Sequence, residues 1–298
     1  MVMGEPLVLW RDEDGAAHAW RDLCIHRGAK LSQGRVADNC LVCPYHAWTY
    51  DSSGKCTKIP AHPGIAIPAK AKAEAYHCRE SVGMIWVCLD EPEGEPPPAL
   101  WFGREGFQVV PAGPYEFNAV ATRAMENFFD VAHLCIVHDG ILGTPEFPEI
   151  EKYEVHVGED GIFVPAVKIT QPAQMGQGEP RVAQFDYHIF NPLTVQLKEG
   201  PQVDQGGLGY AVWFTVTPVS QKKSLGWIWL IYNIPGLDPE EARRLEDEIL
   251  SQDIPIVEGQ RPELLPTDLR EELHLVSDRT AIAYRKWIRE LGMRFGTA

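Results

Sequence analysis

Positive charge is scarce in this chain: 27 Lys and Arg stand against 42 Asp and Glu, a formal net charge of −15 over 298 residues. Binding phosphate takes clustered cations, so the balance excludes a nucleic-acid or anionic-membrane surface. Small molecules or other proteins are the expected partners. No stretch approaches the roughly 18 consecutive apolar residues of a membrane span, and MVMGEPLVLWRDEDG lacks the basic and apolar regions of a signal peptide. The seven Cys are odd in number and irregularly spaced, which fits reduced thiols with a few recruited as ligands better than a disulfide framework. A cytoplasmic protein is the expectation. The Gly-x-Gly-x-x-Gly fingerprint is also missing, so the chain has no motif of its own for flavin or nicotinamide.

Helical periodicity is absent from the first third. PLVLWRD, a D-E-D-G turn and AAHAW read as a hairpin, and SVGMIWVCLD as a later strand. The Pro/Glu/Gly cluster EPEGEPPPAL then suits a linker, which places a boundary near 105 and two domains at 1–105 and 106–298. Beyond it, strand-like runs recur at EKYEVHV, IFVPAVKI, VAQFDYHIF, YAVWFTVTP and LGWIWLIYNI, with helices expected at about 124–138 and 238–253. The class is α+β, an antiparallel sheet with few helices.

Residues 22–48, DLCIHRGAKLSQGRVADNCLVCPYHAW, carry two mirrored pairs, Cys24-x-His26 and Cys43-x-x-His46. Arg27-Gly28 and Pro44 put both pairs on loop tips. Tetrahedral zinc takes such a donor set, but zinc sites of this composition usually keep both Cys on one arm. A two-iron cluster with both Cys on one iron and both His on the other requires the mixed arms seen here. Two unrelated pairs are the third reading, and Cys40 beside the second arm is assigned to packing.

The segment MENFFDVAHLCIVHDGILG, placed on a helix, spreads apolar residues around the whole circumference and marks a helix buried on all sides. Asn127, Asp130, His133 and His138 are then expected to be buried and bonded to one another or to a metal. At about 100° per residue an ideal helix cannot chelate with both His, so it must distort or end before His138, with Asp139-Gly140 as the stop. A third ligand should come from LDPEEARRLEDEILSQDIPIVEGQRP. There Asp238 reads as N-cap, Pro239 as the first helical residue, and Ala242, Leu245, Ile249 and Asp253 as one stripe. Asp253 is the chosen carboxylate and Glu246, near the stripe's edge, its rival. Two His and a carboxylate suit non-haem Fe(II) with positions left for O2. Phe185, Tyr187, Trp213 and Phe214 are candidates for an apolar pocket or for ordinary core.

Cys-x-His-Arg-Gly, a mid-teens spacer and Cys-Pro-Tyr-His-x-Trp resemble the Rieske [2Fe-2S] motif. Ala47 departs from it, since most relatives have Gly there. Cys24 also comes early, which reads either as an internal start or as a Rieske domain lacking an edge. With Asn-x-x-Asp-x-x-His-x4-His and the late Gln-Asp followed by Glu-x-Gln-Arg-Pro, the whole chain resembles the oxygenase component of Rieske non-haem iron oxygenases. The gap between Asn127 and Asp130 is closer to the monooxygenase and O-demethylase branch, that of dicamba monooxygenase and vanillate demethylase. The resemblance implies a β-sandwich Rieske domain, a helix-grip catalytic domain and a head-to-tail homotrimer. It implies a [2Fe-2S] cluster on Cys24, His26, Cys43 and His46, and Fe(II) on His133, His138 and Asp253. Asp130, within the Asn127 motif, would pass electrons between subunits. O2 would be the cosubstrate, and NAD(P)H would act only through a separate reductase or ferredoxin. The implied activity is hydroxylation or oxidative demethylation of a small aromatic or heterocyclic compound; a ring cis-dihydroxylating dioxygenase and a Rieske electron carrier are the alternatives.

Overall fold

The computed structural model describes residues 1–172, 179–200 and 207–298. They form two compact units, Met1–Pro98 and Ala99–Ala298. Residues 99–105 go with the second unit because Trp101 packs on Phe107, Phe102 meets Trp229, and the Leu100 N–H donates to Gln196 Oε1 at 2.8 Å.

The first unit has strands β1 (Leu7–Arg11), β2 (Ala17–Arg21), β3 (Arg35–Ala37), β4 (Cys40–Val42), β5 (Thr49–Tyr50), β6 (Cys56–Lys58), β7 (Ala75–Ser81) and β8 (Met84–Cys88). They make two four-stranded sheets, in the orders β1-β2-β7-β8 and β3-β4-β5-β6. The β1/β2 turn forms as its residues dictate: Asp12 Oδ1 accepts the Ala16 N–H at 2.8 Å, and Gly15 takes φ +88°. Asp38 and Asn39, at φ +52° and +56°, turn β3 into β4. Trp10, Trp20, Leu31, Tyr50 and Ile59 fill the core.

The second unit has β9 (Gln108–Phe117), α1 (Ala121–Phe129), α2 (Leu134–Val137), β10 (His156–Gly158), β11 (Gly161–Gln171), β12 (Arg181–Asn191), β13 (Thr194–Glu199), β14 (Tyr210–Ser220), β15 (Lys223–Tyr232), α3 (Pro239–Gly259) and α4 (Arg279–Glu290). The seven strands form one antiparallel sheet in the order β10-β11-β12-β13-β14-β15-β9. Alternation on β12 buries Ala183, Phe185, Tyr187 and Ile189 on one face. Asp238 caps α3 by accepting the Glu240 N–H, and Pro239 occupies the first turn, as its sequence suggests.

The helix expected over 124–138 is two elements. Helix α1 stops at Phe129, and Asp130 is extended at φ −71°, ψ 124°. Its carboxylate is the cause: Oδ1 accepts the Ala132 N–H at 2.8 Å, a local turn that competes with the helix. One helical turn, α2, then ends at His138, whose ψ is 41°. The expected all-round burial fails with it, because Ile136 is 61% exposed and the Asp130 side chain 41% exposed. Gly143 pins this segment: a Cβ there would lie 2.6 Å from the Cα of Cys135. Helix α3 runs past its expected end at Asp253 to Gly259, with Pro255 inside it.

Candidate metal centres

In the first unit, two turns bring the mirrored pairs together. Gly28 at φ +70° closes the first, with its N–H donating to the Cys24 carbonyl at 2.9 Å; in the second the Ala47 N–H donates to the Cys43 carbonyl. Cys24 and Cys43 are buried, while His26 is half-buried and His46 exposed. The imidazoles meet edge to face at 4.6 Å between centroids, and Trp48 stacks flat on His26 at 4.5 Å. Burial pushes the Cys43 thiol up, and the Tyr45 and His46 N–H groups, aimed at the sulfur, work the other way. Cys24 Sγ lies 3.1 Å from the Tyr50 hydroxyl, whose pKa burial and Cys24 raise. Tyr50 thus keeps its proton, and its hydroxyl can donate a hydrogen bond to the Cys24 sulfur when that sulfur holds iron. Two enclosed sulfurs with N–H and O–H donors, opposite two outward imidazoles, one with an enclosed and unbonded Nδ1, fit a cluster of one Cys-held and one His-held iron.

In the second unit, the ligand atoms of His133, His138 and Asp253 all lie within 4.8 Å of one another. Asp253 Oδ1 is 3.1 Å from His138 Nε2 and 3.5 Å from His133 Nε2. His138 Nδ1 is 2.7 Å from the side-chain amide oxygen Oε1 of Gln252, so Nδ1 carries the proton and Nε2 offers its lone pair. That Nε2 is enclosed and makes no hydrogen bond. Asn127 Nδ2 donates to Asp253 Oδ1 at 3.3 Å, which holds the carboxylate in place. Burial opposes a charged His138, yet Asp253 and Gln252 outweigh it and raise its pKa. Two imidazoles and a carboxylate converging on one point fit a divalent cation, which would take the place of a proton between them.

Asp130 Oδ2 lies 3.6 Å from His133 Nδ1, beyond hydrogen-bond length but close enough for its charge to act on the ring. Glu246 is not at the stripe's edge. The buried stripe of α3 is Ala242, Glu246, Ile249, Leu250, Asp253 and Val257, whereas Leu245 is half exposed. Glu246 stands two turns before Asp253 on α3, and Asp253 is the carboxylate beside the His pair. Gln252 was missed by sequence reasoning; its place beside Asp253 gave no sign that it would reach back to His138.

The triad opens on a cavity of about 1080 Å³, roomy for a small-molecule site. Phe128, Phe185, Tyr187, Phe214, Ile249 and Leu250 are among its walls. Trp213 is buried but absent from the lining, since β14 turns it to the other face.

Residues 1–69 match the Rieske [2Fe-2S] domain family, and residues 117–294 the C-terminal domain of the vanillate O-demethylase oxygenase. The chain is 33% identical over 280 residues to the methylxanthine N1-demethylase NdmA of Pseudomonas putida, covering 92% of this chain and 76% of that protein. Against the methylxanthine N3-demethylase NdmB of the same organism it is 31% identical over 300 residues, 98% of this chain and 82% of that one. The solved structure of Pseudomonas putida CBB5 NdmA with caffeine superposes with a TM-score of 0.86 at 29% identity, over 97% of this chain and 83% of that chain. Two family matches in chain order, over a fold and a donor set that suit both, establish that this chain belongs to the Rieske non-haem iron oxygenases, as their oxygenase component.

Proposed function

We propose that the protein oxidatively removes a methyl group from a small heterocyclic or aromatic substrate, with Cys24, His26, Cys43 and His46 holding the cluster and His133, His138 and Asp253 holding the single iron. One observation carries this reading: the three converging ligands open directly onto a largely apolar cavity large enough for such a substrate. The N-demethylase relatives support the choice of reaction. When bound, the two iron groups supply one-electron transfer and activation of O2.

The chain's own residues do the rest. Gln252 fixes the His138 tautomer and Asn127 orients Asp253. Phe128, Phe185 and Phe214 exclude water from the methyl group under attack. The reaction balances as substrate methyl, O2, two electrons and two protons giving hydroxymethyl and water. The hydroxymethyl group then leaves as formaldehyde, and its O–H proton goes to the heteroatom.

Electrons come from a separate reductase or ferredoxin, because the chain carries no nucleotide fingerprint. Half-exposed Asp130, one face toward His133, suits a contact with a neighbouring subunit in a head-to-tail homotrimer. A cytoplasmic site of action agrees with the fact that, among the described residues, no helix is long and apolar enough to cross a membrane.

The test is aerobic incubation with a reductase and NADH against N-methylated purine-diones, caffeine among them, and methoxybenzoates, measuring O2 uptake and formaldehyde together. Formaldehyde in step with O2 supports the proposal. A cis-diol without formaldehyde contradicts it and points to ring dihydroxylation.

A further inference from the structure

Helix α3 presents Ala242, Leu245, Glu246, Ile249, Leu250 and Asp253 to the cavity. Asp253 belongs to the metal triad and the four apolar residues are wall. Glu246 is neither. It is 5% exposed, yet among the described residues its carboxyl group has no hydrogen bond and no ion pair. Glu246 is part of the cavity lining. Burying a carboxyl group without a partner is costly, and an apolar side chain between Ala242, Ile249 and Leu250 would carry no such cost. Among the described residues nothing supplies that partner, and a molecule bound in the cavity can.

The cavity's charge says what kind of partner. Glu199, Glu241, Glu246 and Asp253 line it, and Arg181 is the basic residue among the lining. That guanidinium is taken: it donates to Glu199 Oε1 at 2.6 Å and to Gln171 Oε1 at 2.9 Å. Among the described residues of the lining an aromatic carboxylate finds no unpaired guanidinium or ammonium group. Glu246 and Asp253 are seven residues apart, about 10 Å along the helix axis. A ring system of about that length would present one edge to each.

Resting on the demethylase reading above, we propose that Glu246 is the polar anchor of the substrate site: its carboxyl group hydrogen-bonds one edge of a neutral nitrogen heterocycle and so turns the methyl-bearing edge toward His133, His138 and Asp253. A ring with an adjacent N–H and carbonyl is the best complement, since a protonated carboxyl group donates to the carbonyl and accepts from the N–H. Burial, followed by the charge of Asp253, pushes the Glu246 pKa up to about 8, which keeps that proton in place near neutrality.

The test uses the metal-replete enzyme and measures binding by calorimetry, with N-methylated purine-diones, 1-methyluracil and 4-methoxybenzoate as probes. The wild type is expected to bind at least one heterocycle more tightly than the benzoate. Glu246→Gln, which still donates and accepts, should stay within about threefold, and Glu246→Leu should bind that heterocycle at least about tenfold more weakly. Glu246→Leu should melt no lower than the wild type, which separates lost recognition from lost folding. Equal affinity in Glu246→Leu and wild type, or no binding of any heterocycle, overturns the anchor. Tighter binding of the benzoate overturns the substrate class. Formaldehyde is read separately: a heterocycle held through Glu246 without formaldehyde release refutes demethylation and leaves the anchor standing.

Discussion

The side-chain amide oxygen of Gln252 sits 2.7 Å from Nδ1 of His138, on the helix turn that also presents Asp253. One stretch of α3 thus supplies both a proposed ligand and the group that sets the tautomer of another. Gln252→Leu should lower affinity for the mononuclear iron by roughly 10- to 100-fold, the usual effect of losing such a support. Iron retained against a graded chelator series measures it, and the cluster's visible absorption should not change.

Ala47 adopts φ +55°, in the left-handed region that favours glycine. Ala47→Gly should raise stability by about 0.5–1 kcal/mol, the relief of a Cβ clash less the entropy that glycine loses on folding. Thermal melting of the cluster-loaded protein checks this, and a lower melting temperature would show that the Ala47 methyl group contributes packing.

Arg285 is fully buried and donates from Nε and Nη2 to both oxygens of Glu126, at 2.7 and 2.5 Å, and from Nη2 to Glu272 at 2.6 Å. Arg123 joins the network through Glu272, so α1, which carries Asn127, is tied to α4. Arg285→Met leaves the Glu126 charge to the longer Arg123 contact at 3.8 Å and should cost about 3–5 kcal/mol in urea unfolding. Adding Glu126→Leu should recover part of that loss, because it removes the poorly paired charge.

Glu246 gives stability a pH dependence. Its folded pKa of about 8 is above its unfolded value, so between the two the folded state holds a proton that the unfolded chain lacks. Stability from this group is complete below the unfolded pKa and falls as pH rises through about 8. At 1.36 kcal/mol per unit, the loss is roughly 3 to 5 kcal/mol. Glu246→Gln should flatten this slope in urea unfolding of the metal-free protein.

The cluster loops were legible because their chemistry is local: four donors within 23 residues, each pair marked by its own turn residues. The strands of the second unit were legible from alternation and the start of α3 from Asp238-Pro239. Strand β9 was not, because Pro111, Gly113 and Pro114 read as loop, and only its place at the sheet edge makes them tolerable. The break after Phe129 was hidden because the apolar run continues across it, while an Asp130 side chain bonding two residues ahead decides the backbone. The position of Glu246 was misjudged because one assumed stripe through Leu245 rotated the helix; the real stripe follows four-residue steps through Glu246. Strand β13 and helix α4 escaped notice because polar residues share their buried positions, Thr194 and Gln196 in the strand and Thr280 and Arg285 in the helix.

The most direct test of the proposed assignment is iron and acid-labile sulfide analysis of Asp253→Ala beside the wild type and Glu246→Ala. The wild type and Glu246→Ala should hold about three iron and two sulfide per chain, whereas Asp253→Ala should hold about two and two, with its Rieske spectrum intact and formaldehyde release abolished. A third iron retained in Asp253→Ala, or lost in Glu246→Ala instead, would contradict the placement of the oxygen-activating iron between His133, His138 and Asp253.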